Sequence, residues 1–546
     1  MESNANISSL ALQRLRVALT LWEQEKWSLG CKWLYLCARL QGGKLRSLWV
    51  SAAENTSKQV ELELGDILNV ATSFELEMLH SPETRILNPA SENTWNSLRG
   101  IRAMLVEQGG ETRLWAATEM IAHNLSFNKA LNIHFKSMKK TSSMRPPTPV
   151  ILYLTKQLFC DNRPSHQNSP TPSEMFRGNR VVETKTVDCR GVLRCVQSMT
   201  RWLASQVDGV GAAKYKYWPS RGSYASSNNA IRQWMATVCL NRVAKAFGSE
   251  QIAAIVARNH NFNLSTTFRR EGELGYIWMN GCAKLGAAAL AALAILESPH
   301  RKRFLNEEHA LHSFTQLLSN PDGSFDTFYI PRERKDNQNF YSGEALLFLA
   351  SCFRISRNSA ELARIMAAFH YYRDWHRDNR NPAFVPWHTQ AYFLVWQVTQ
   401  DEALKAFIFE MNDWLLSMQQ WRTAAFRDMQ GRFHDPARPY FGPPHASSTG
   451  VYLEGLIDAF SLAKQCGDKQ RAENYRIAIV RGIRSIMQLQ FKDEVDCFYI
   501  KNVNRVLGGV RTTVYDNTIR IDNVQHALMA LLKIYSRFEV RDYYIE

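Results

Sequence analysis

The sequence predicts a mainly α protein: an (α/α)6 toroid of six helical hairpins over about residues 185–546, behind a smaller mixed α/β domain over residues 1–180. Three observations carry this. Beyond about residue 185, two kinds of helical segment alternate. One kind is amphipathic. The other follows a loop rich in Gly, Pro, Ser and Asn and is apolar nearly all round, the mark of a buried helix.

The buried kind starts near Asn228, Tyr276, Asn339, Pro386, Thr449 and Thr518. Each is preceded by an amphipathic segment: Val192–Val207, Ser249–Arg258, Asn306–Leu318, Ala360–Arg377, Glu402–Gln420 and Lys469–Gln490. Buried helices would form an inner ring and amphipathic ones an outer ring. The buried starts are 48, 63, 47, 63 and 69 residues apart and share no consensus. A solenoid needs near-constant repeats, so the closed ring is preferred over a solenoid or an irregular bundle.

The N-terminal stretch has a different texture. Ile7–Leu40 reads as helix, as does Asn124–Met138. Leu45–Val50, Gln59–Leu64 and Val150–Leu154 read as strands between turn signals. Lys139–Pro149 and Asn162–Pro172 are rich in Pro, Ser and Thr and read as loops.

Composition bounds the function. With 45% apolar and 21% charged residues the chain is an ordinary globular one, which excludes a disordered or collagen-like protein. The longest apolar run, Leu285–Leu296, is too short to span a bilayer and reads as a buried helix. MESNANISSLALQRLRVALTLWEQEKW has no basic-then-apolar secretory pattern, so a cytoplasmic chain is expected. The ten cysteines include no C-x-x-C and no zinc spacing, and Cys239, Cys282 and Cys352 read as reduced, buried small hydrophobes. The net charge of +15 favours an acidic ligand, but it is dispersed and no nucleic-acid motif accompanies it.

Two inner-helix starts are distinctive: Tyr341-Ser342-Gly343-Glu344-Ala345-Leu346-Leu347 and Ser448-Thr449-Gly450-Val451-Tyr452-Leu453-Glu454-Gly455. In these and in the alternation, residues 185–540 resemble the six-hairpin glycosidase-like superfamily, which includes glycoside hydrolases, uronate lyases and sugar epimerases. The resemblance is one of architecture and implies a ring with a site at its mouth. It transfers no family's catalytic residues.

In such a ring the loops entering the inner helices line one mouth. The first polar cluster there runs from Asp336 to Glu344. Ser342 is a candidate N-cap, Glu344 a dipole-favoured acid or base, and Tyr341 and Asn339 candidate sugar contacts. In the second, Glu454 and Asp458 stand four apart on one helix face, a spacing that repels unless a proton, cation or substrate intervenes. An ion pair with Arg520 is the structural alternative. In the third, Asp522 stands four before His526 and can orient its imidazole, while Arg520 is suited to gripping a carboxylate or to holding Asp522 in a bidentate pair. Trp218, Arg221, Trp387, His388 and Tyr392 complete the candidate binding residues, with Arg232, Arg269, Arg270 and Lys216 as further mouth cations.

No Walker A loop, dinucleotide fingerprint, H-E-x-x-H or G-x-S-x-G is present. No metal or cofactor is expected. The expectation is a carbohydrate-active enzyme on an acidic glycan or sugar, working by carboxylate acid–base chemistry. Glu344, Glu454 and Asp522 would be catalytic, with His526 and Tyr341 in support. Hydrolysis is favoured over elimination or epimerisation, because glycosidic cleavage needs only two carboxyl groups. The alternative is a non-catalytic ring whose basic rim binds a polyanion or protein partner. A terpene-cyclising ring is disfavoured by the lack of D-x-D-D.

Overall fold

A computed structural model describes residues 13–545 except 25, 27–29, 52–56, 59–60, 63–66, 68–69, 88–94, 138–146 and 163–171. Among the described residues, fourteen helices are numbered in chain order. The short α1 (Ala117–Ala122) and α2 (Phe127–Ser137) belong to the N-terminal part. The rest are α3 (Cys189–Ser205), α4 (Ala230–Phe247), α5 (Glu250–Thr267), α6 (Leu285–Leu296), α7 (Leu305–Leu317), α8 (Tyr341–Ser356), α9 (Ser359–Asp378), α10 (Phe384–Thr399), α11 (Glu402–Leu416), α12 (Ala446–Gln465), α13 (Lys469–Leu489) and α14 (Ile521–Arg537).

The even-numbered helices from α4 to α14 each pack against the next, and α14 packs back on α4. That closure makes the architecture an (α/α)6 toroid rather than a solenoid. The odd helices α3 to α13 form the outer ring. α6 shows why the inner helices sit inside: all twelve of its residues, LGAAALAALAIL, are buried. Burying a Leu or Ile stabilises by about 2 kcal/mol, and the alanines between let neighbouring backbones close in. Outer helices are one-sided, as in α13, whose exposed face carries Lys469, Gln470, Glu473 and Asn474.

The hairpins are joined differently from the sequence reading. Each outer helix from α5 on packs on the inner helix that precedes it, across a short link. Gly248, Arg357 and Gln400 each end an inner helix in the left-handed conformation, with φ of 60°, 58° and 55°. The long connections therefore enter the N-terminal ends of most inner helices, and the mouth is built there.

Two inner-helix starts are corrected. Around Tyr276 the chain is strand, β11 (Leu274–Met279) and β12 (Cys282–Lys284), and α6 begins only at Leu285. Asn280 and Gly281 both have positive φ, 53° and 74°, and make the two-residue turn between these strands. Thr518 lies in β15 (Asp516–Arg520), which pairs with β14 (Arg511–Thr513) and with β8 (Lys216–Trp218).

The N-terminal part is β-rich: β1 (Trp33–Leu40), β2 (Leu45–Ser51), β3 (Ala71–Leu87), β4 (Arg102–Gln108), β5 (Glu111–Trp115), β6 (Thr148–Asp161) and β7 (Ser173–Met175). They form one antiparallel sheet in the order β2-β1-β3-β6-β4-β5, with β7 on β6. Trp33–Leu40 is thus strand, not the end of an N-terminal helix. It pairs on both sides, with β2 and β3, and its run of buried residues hides the alternation expected of a strand. The described residues of Gln59–Leu64, Glu61 and Leu62, are helical; the others lie outside the described residues. Most of the two Pro-rich loops also lies outside them, while Thr148 and Pro149 belong to β6. Cys239 is buried, whereas Cys282 and Cys352 are only half-buried. Among the described residues no helix is long and apolar enough to cross a membrane.

The sheet is tied to the ring. Arg39 Nη2 donates to the Ile500 carbonyl at 2.5 Å. Arg177 and Asp428 form a buried ion pair at 2.7 Å. Asn517 Nδ2 donates to the Ile121 carbonyl at 2.9 Å, and Asn124 Nδ2 to Asp516 Oδ1 at 2.9 Å. The last two hold β15, the strand that feeds α14.

Candidate active site

A cavity of about 260 Å³ opens among the N-terminal ends of α4, α8, α10, α12 and α14. Of the expected site residues, Tyr341, Glu344, Trp387, Arg520 and His526 line it, as does Arg232. They come from four inner helices and the end of β15, which only the closed ring brings together.

Glu344 lies in the first turn of α8 and is 3% exposed. Its Oε2 has no hydrogen-bond partner. Burial pushes its carboxyl up to about 7, against the opposing charges of Arg232 and Lys284. Room for it comes from α6, where a Cβ on Gly286 would overlap the Glu344 carboxylate and the Tyr341 ring. Ser342 is not the N-cap of α8: Phe340 holds that place, and Ser342 Oγ donates to the Gln338 carbonyl at 2.5 Å.

His526 stands one turn into α14. Its Nδ1 lies 2.7 Å from Glu454 Oε1 on the neighbouring helix α12. Glu454 is 1% exposed and does not line the cavity, so it acts behind the imidazole. A carboxylate at this distance accepts a hydrogen bond from Nδ1–H, which fixes the ring's orientation and leaves Nε2 as its other nitrogen. The Trp387 edge faces the same ring, with centroids 6.0 Å apart.

In the third cluster the two-pronged Arg520–Asp522 pair is present, and the Asp522–His526 pairing is corrected. Asp522 does not orient His526. Its carboxylate is held by Arg520, with Nε to Oδ1 at 3.0 Å, and by Arg232 at 3.2 Å. Burial would raise its pKa, but the two guanidiniums outweigh that and hold it well below the usual carboxylate range. Asp458 is corrected as well: it lies away from the cavity, paired with Lys533 at 2.6 Å and with Arg537, and Arg520 pairs with neither it nor Glu454.

Five other candidates stand outside the cavity. His388 is stacked on Phe384, ring centroids 3.4 Å apart, and burial holds it down to about 3. Tyr392 is buried beside Phe369 and Phe407. Trp218 stands on β8 with the Arg221 guanidinium over its ring at 5.1 Å. Asn339 is also absent from the lining, where its neighbours Asn337 and Phe340 take part. Lys216, Arg269 and Arg270 do not line the cavity either.

Sequence reasoning missed His445, the N-cap of α12, which lines the cavity and hydrogen-bonds the Ser447 hydroxyl at 2.7 Å. Burial and the nearby charges of Arg520 and Arg232 hold it down to about 4. It also missed Lys284, whose signal was available: a single cation directly before an all-apolar helix.

Chemically, the mouth offers a carboxyl group that titrates near neutrality, an imidazole aligned from behind, and two guanidiniums sharing one carboxylate. Among the described residues Glu344 is the one carboxylate side chain in the lining. No group of side chains there could hold a metal ion.

No protein-family model matches the chain, and no curated protein matches it in sequence. In fold it is similar to the alpha-1,6-mannanase GH76A of Salegentibacter sp. HEL1_6, at 8% identity and TM-score 0.46 over 62% of this chain and 97% of that one. It is similar to cellobiose 2-epimerase from Bacillus thermoamylovorans B4167, at 10% identity and TM-score 0.47 over 64% and 98%. It is also similar to unsaturated glucuronyl hydrolase from Streptococcus agalactiae, at 10% identity and TM-score 0.45 over 67% and 100%. These are likenesses of fold.

Proposed function

We propose that the protein is a carbohydrate-active enzyme that moves protons on an acidic sugar, with Glu344 and the Glu454-oriented His526 as its acid–base pair. The observation that carries this is Glu344. A buried carboxyl group with an unpartnered oxygen destabilises a fold, and a ring built only to bind has no use for one at its mouth. A carboxyl near 7 can give or take a proton at neutral pH. Trp387, Tyr341 and Tyr452 supply aromatic faces for a sugar ring, and Asn229, Ser447 and Ser448 supply polar groups for its hydroxyls. Arg232 and Arg520 carry two positive charges against the one of Asp522, which favours an acidic substrate.

The pairing of one carboxyl with one imidazole supports proton abstraction beside a sugar carboxylate or carbonyl, that is elimination or epimerisation, over hydrolysis by two carboxyl groups. In this reading the N-terminal domain, residues 1–180, supports the ring of residues 185–546. Asn124 and Ile121 brace β15 and so the entry to α14.

A panel of neutral and uronate-containing sugars and oligosaccharides, followed by chromatography and NMR, tests this. Conversion of a uronate-containing member is expected. Conversion of neutral members alone overturns the acidic-substrate reading, and binding without conversion across the panel overturns the enzyme.

A further inference from the structure

A second cavity lies at the opposite end of the ring from the mouth. It measures about 680 Å³ and opens between the C-terminal ends of α4, α6 and α8 and the first turn of α5. Arg232 and Arg242 bracket the distance along α4: ten residues at 1.5 Å each put the two sites roughly 15 Å apart.

Its walls are apolar, formed by Ala244, Ala253, Leu296 and Ile355. Its inner end holds Asn241, which is 3% exposed and donates through Nδ2 to the Ala294 carbonyl at 3.0 Å. Asn241 Oδ1 has no partner. A buried acceptor without a donor costs about 1–3 kcal/mol, and a ligand's N–H or O–H would relieve that.

The charged groups divide cleanly. Arg242 and Glu297 neutralise one another in a two-pronged pair at 2.9 and 2.8 Å. Lys245, Arg354 and Glu250 line the exposed end, and neither cation makes an ion pair among the described residues. The rim thus keeps one net positive charge. A pocket of several hundred Å³ with apolar walls and a few convergent polar groups has the form of a small-molecule site.

We propose that this cavity is a second binding site, for a small amphipathic anion. The ligand's hydrogen-bond donor meets Asn241 Oδ1, its apolar body lies against Leu296 and Ile355, and its anionic group faces Lys245 and Arg354. The site is independent of the chemistry at the mouth.

The probe 1-anilinonaphthalene-8-sulfonate has those three parts: an N–H, fused aromatic rings and a sulfonate. Fluorescence titration of the folded full chain is expected to show saturable binding at one equivalent. The double variant Lys245→Glu/Arg354→Glu, whose sites are exposed, should weaken binding at least 10-fold with an unchanged melting temperature. Ala244→Trp, which fills the cavity, should do the same. Glu344→Gln at the mouth should leave the affinity unaltered. Non-saturable binding, equal affinity in the rim-reversed double variant, or loss of binding in Glu344→Gln would each overturn the proposal.

Discussion

Glu454 on α12 and His526 on α14 meet across a helix–helix interface, Oε1 to Nδ1 at 2.7 Å, with both side chains at least nine-tenths buried. The contact turns a lone imidazole one turn into α14 into an aligned one. It also explains why the smallest residues lie where they do: a Cβ on Gly450 of α12 would meet the His526 backbone and Cβ, so glycine there sets how closely α12 and α14 approach.

Replacing Glu454 by Gln keeps the shape and removes the oriented acceptor. Turnover number is expected to fall by roughly 10²-fold with little change in KM, since the loss is in proton transfer rather than binding. Steady-state kinetics beside a melting curve check this. A lower melting temperature with normal turnover per folded molecule would make Glu454 a structural partner only.

Gly286→Ala tests the space that α6 leaves for Glu344. The added methyl overlaps the carboxylate, so the carboxyl group must move. Overpacking costs about 1–3 kcal/mol, and turnover is expected to drop at least 10-fold as well. Gly482→Ala is the control, because its Cβ would crowd Leu453 away from the mouth. It should lose stability and keep turnover.

Stability should respond to the titration of Glu344. Its folded pKa, about 7, lies above the ordinary carboxyl value of 4.5. The folded state therefore binds the proton more tightly, and stability falls as pH rises from about 4.5 through about 7. The whole effect is on the order of 3 kcal/mol. Glu344→Gln removes it, so the variant should gain melting temperature over wild type at pH 8 and not at pH 4.5. Parallel pH dependence in the two proteins would contradict this.

Arg520→Ala leaves Asp522 with Arg232 alone and removes one cation from the mouth. For an acidic substrate KM is expected to rise by roughly 10-fold, and the residual salt dependence of KM to flatten, because exposed charges are screened over about 10 Å at 0.1 M. Initial rates at several salt concentrations measure both. An unchanged KM would remove Arg520 from substrate binding.

The ring was legible because burial leaves a strong trace. Leu285–Leu296 is apolar on every side, while α13 keeps its exposed residues Lys469, Gln470, Glu473 and Asn474 to one side. The sheet was legible in part: Leu45–Val50 and Val150–Leu154 fall in β2 and β6, whereas β3 is buried over most of its inner length and even includes Glu75 and Glu77, so neither alternation nor composition marks it. The β11–β12 hairpin did carry a signal, the Asn280-Gly281 turn between aromatic and apolar runs.

At the site, residue type and first-turn position were enough to find Glu344, Tyr341, Trp387, Arg520 and His526. Helix phase was not readable. Trp387 and His388 are adjacent, yet one lines the cavity and the other stacks on Phe384, since a helix buried nearly all round has no solvent face to set its rotation. Partners across helices were equally hidden. Spacing of four joined Asp522 to His526 and nearness in sequence joined it to Arg520; packing gave His526 to Glu454 and added Arg232 to Asp522.

Glu344→Gln turnover on an acidic sugar, measured per folded molecule between pH 5 and pH 9, is the most direct test of acid–base chemistry at this mouth. The predicted result is a fall of roughly 10²-fold or more, together with loss of the wild-type inflection near pH 7, in a variant that melts no lower than wild type. Turnover and pH profile equal to wild type would contradict it.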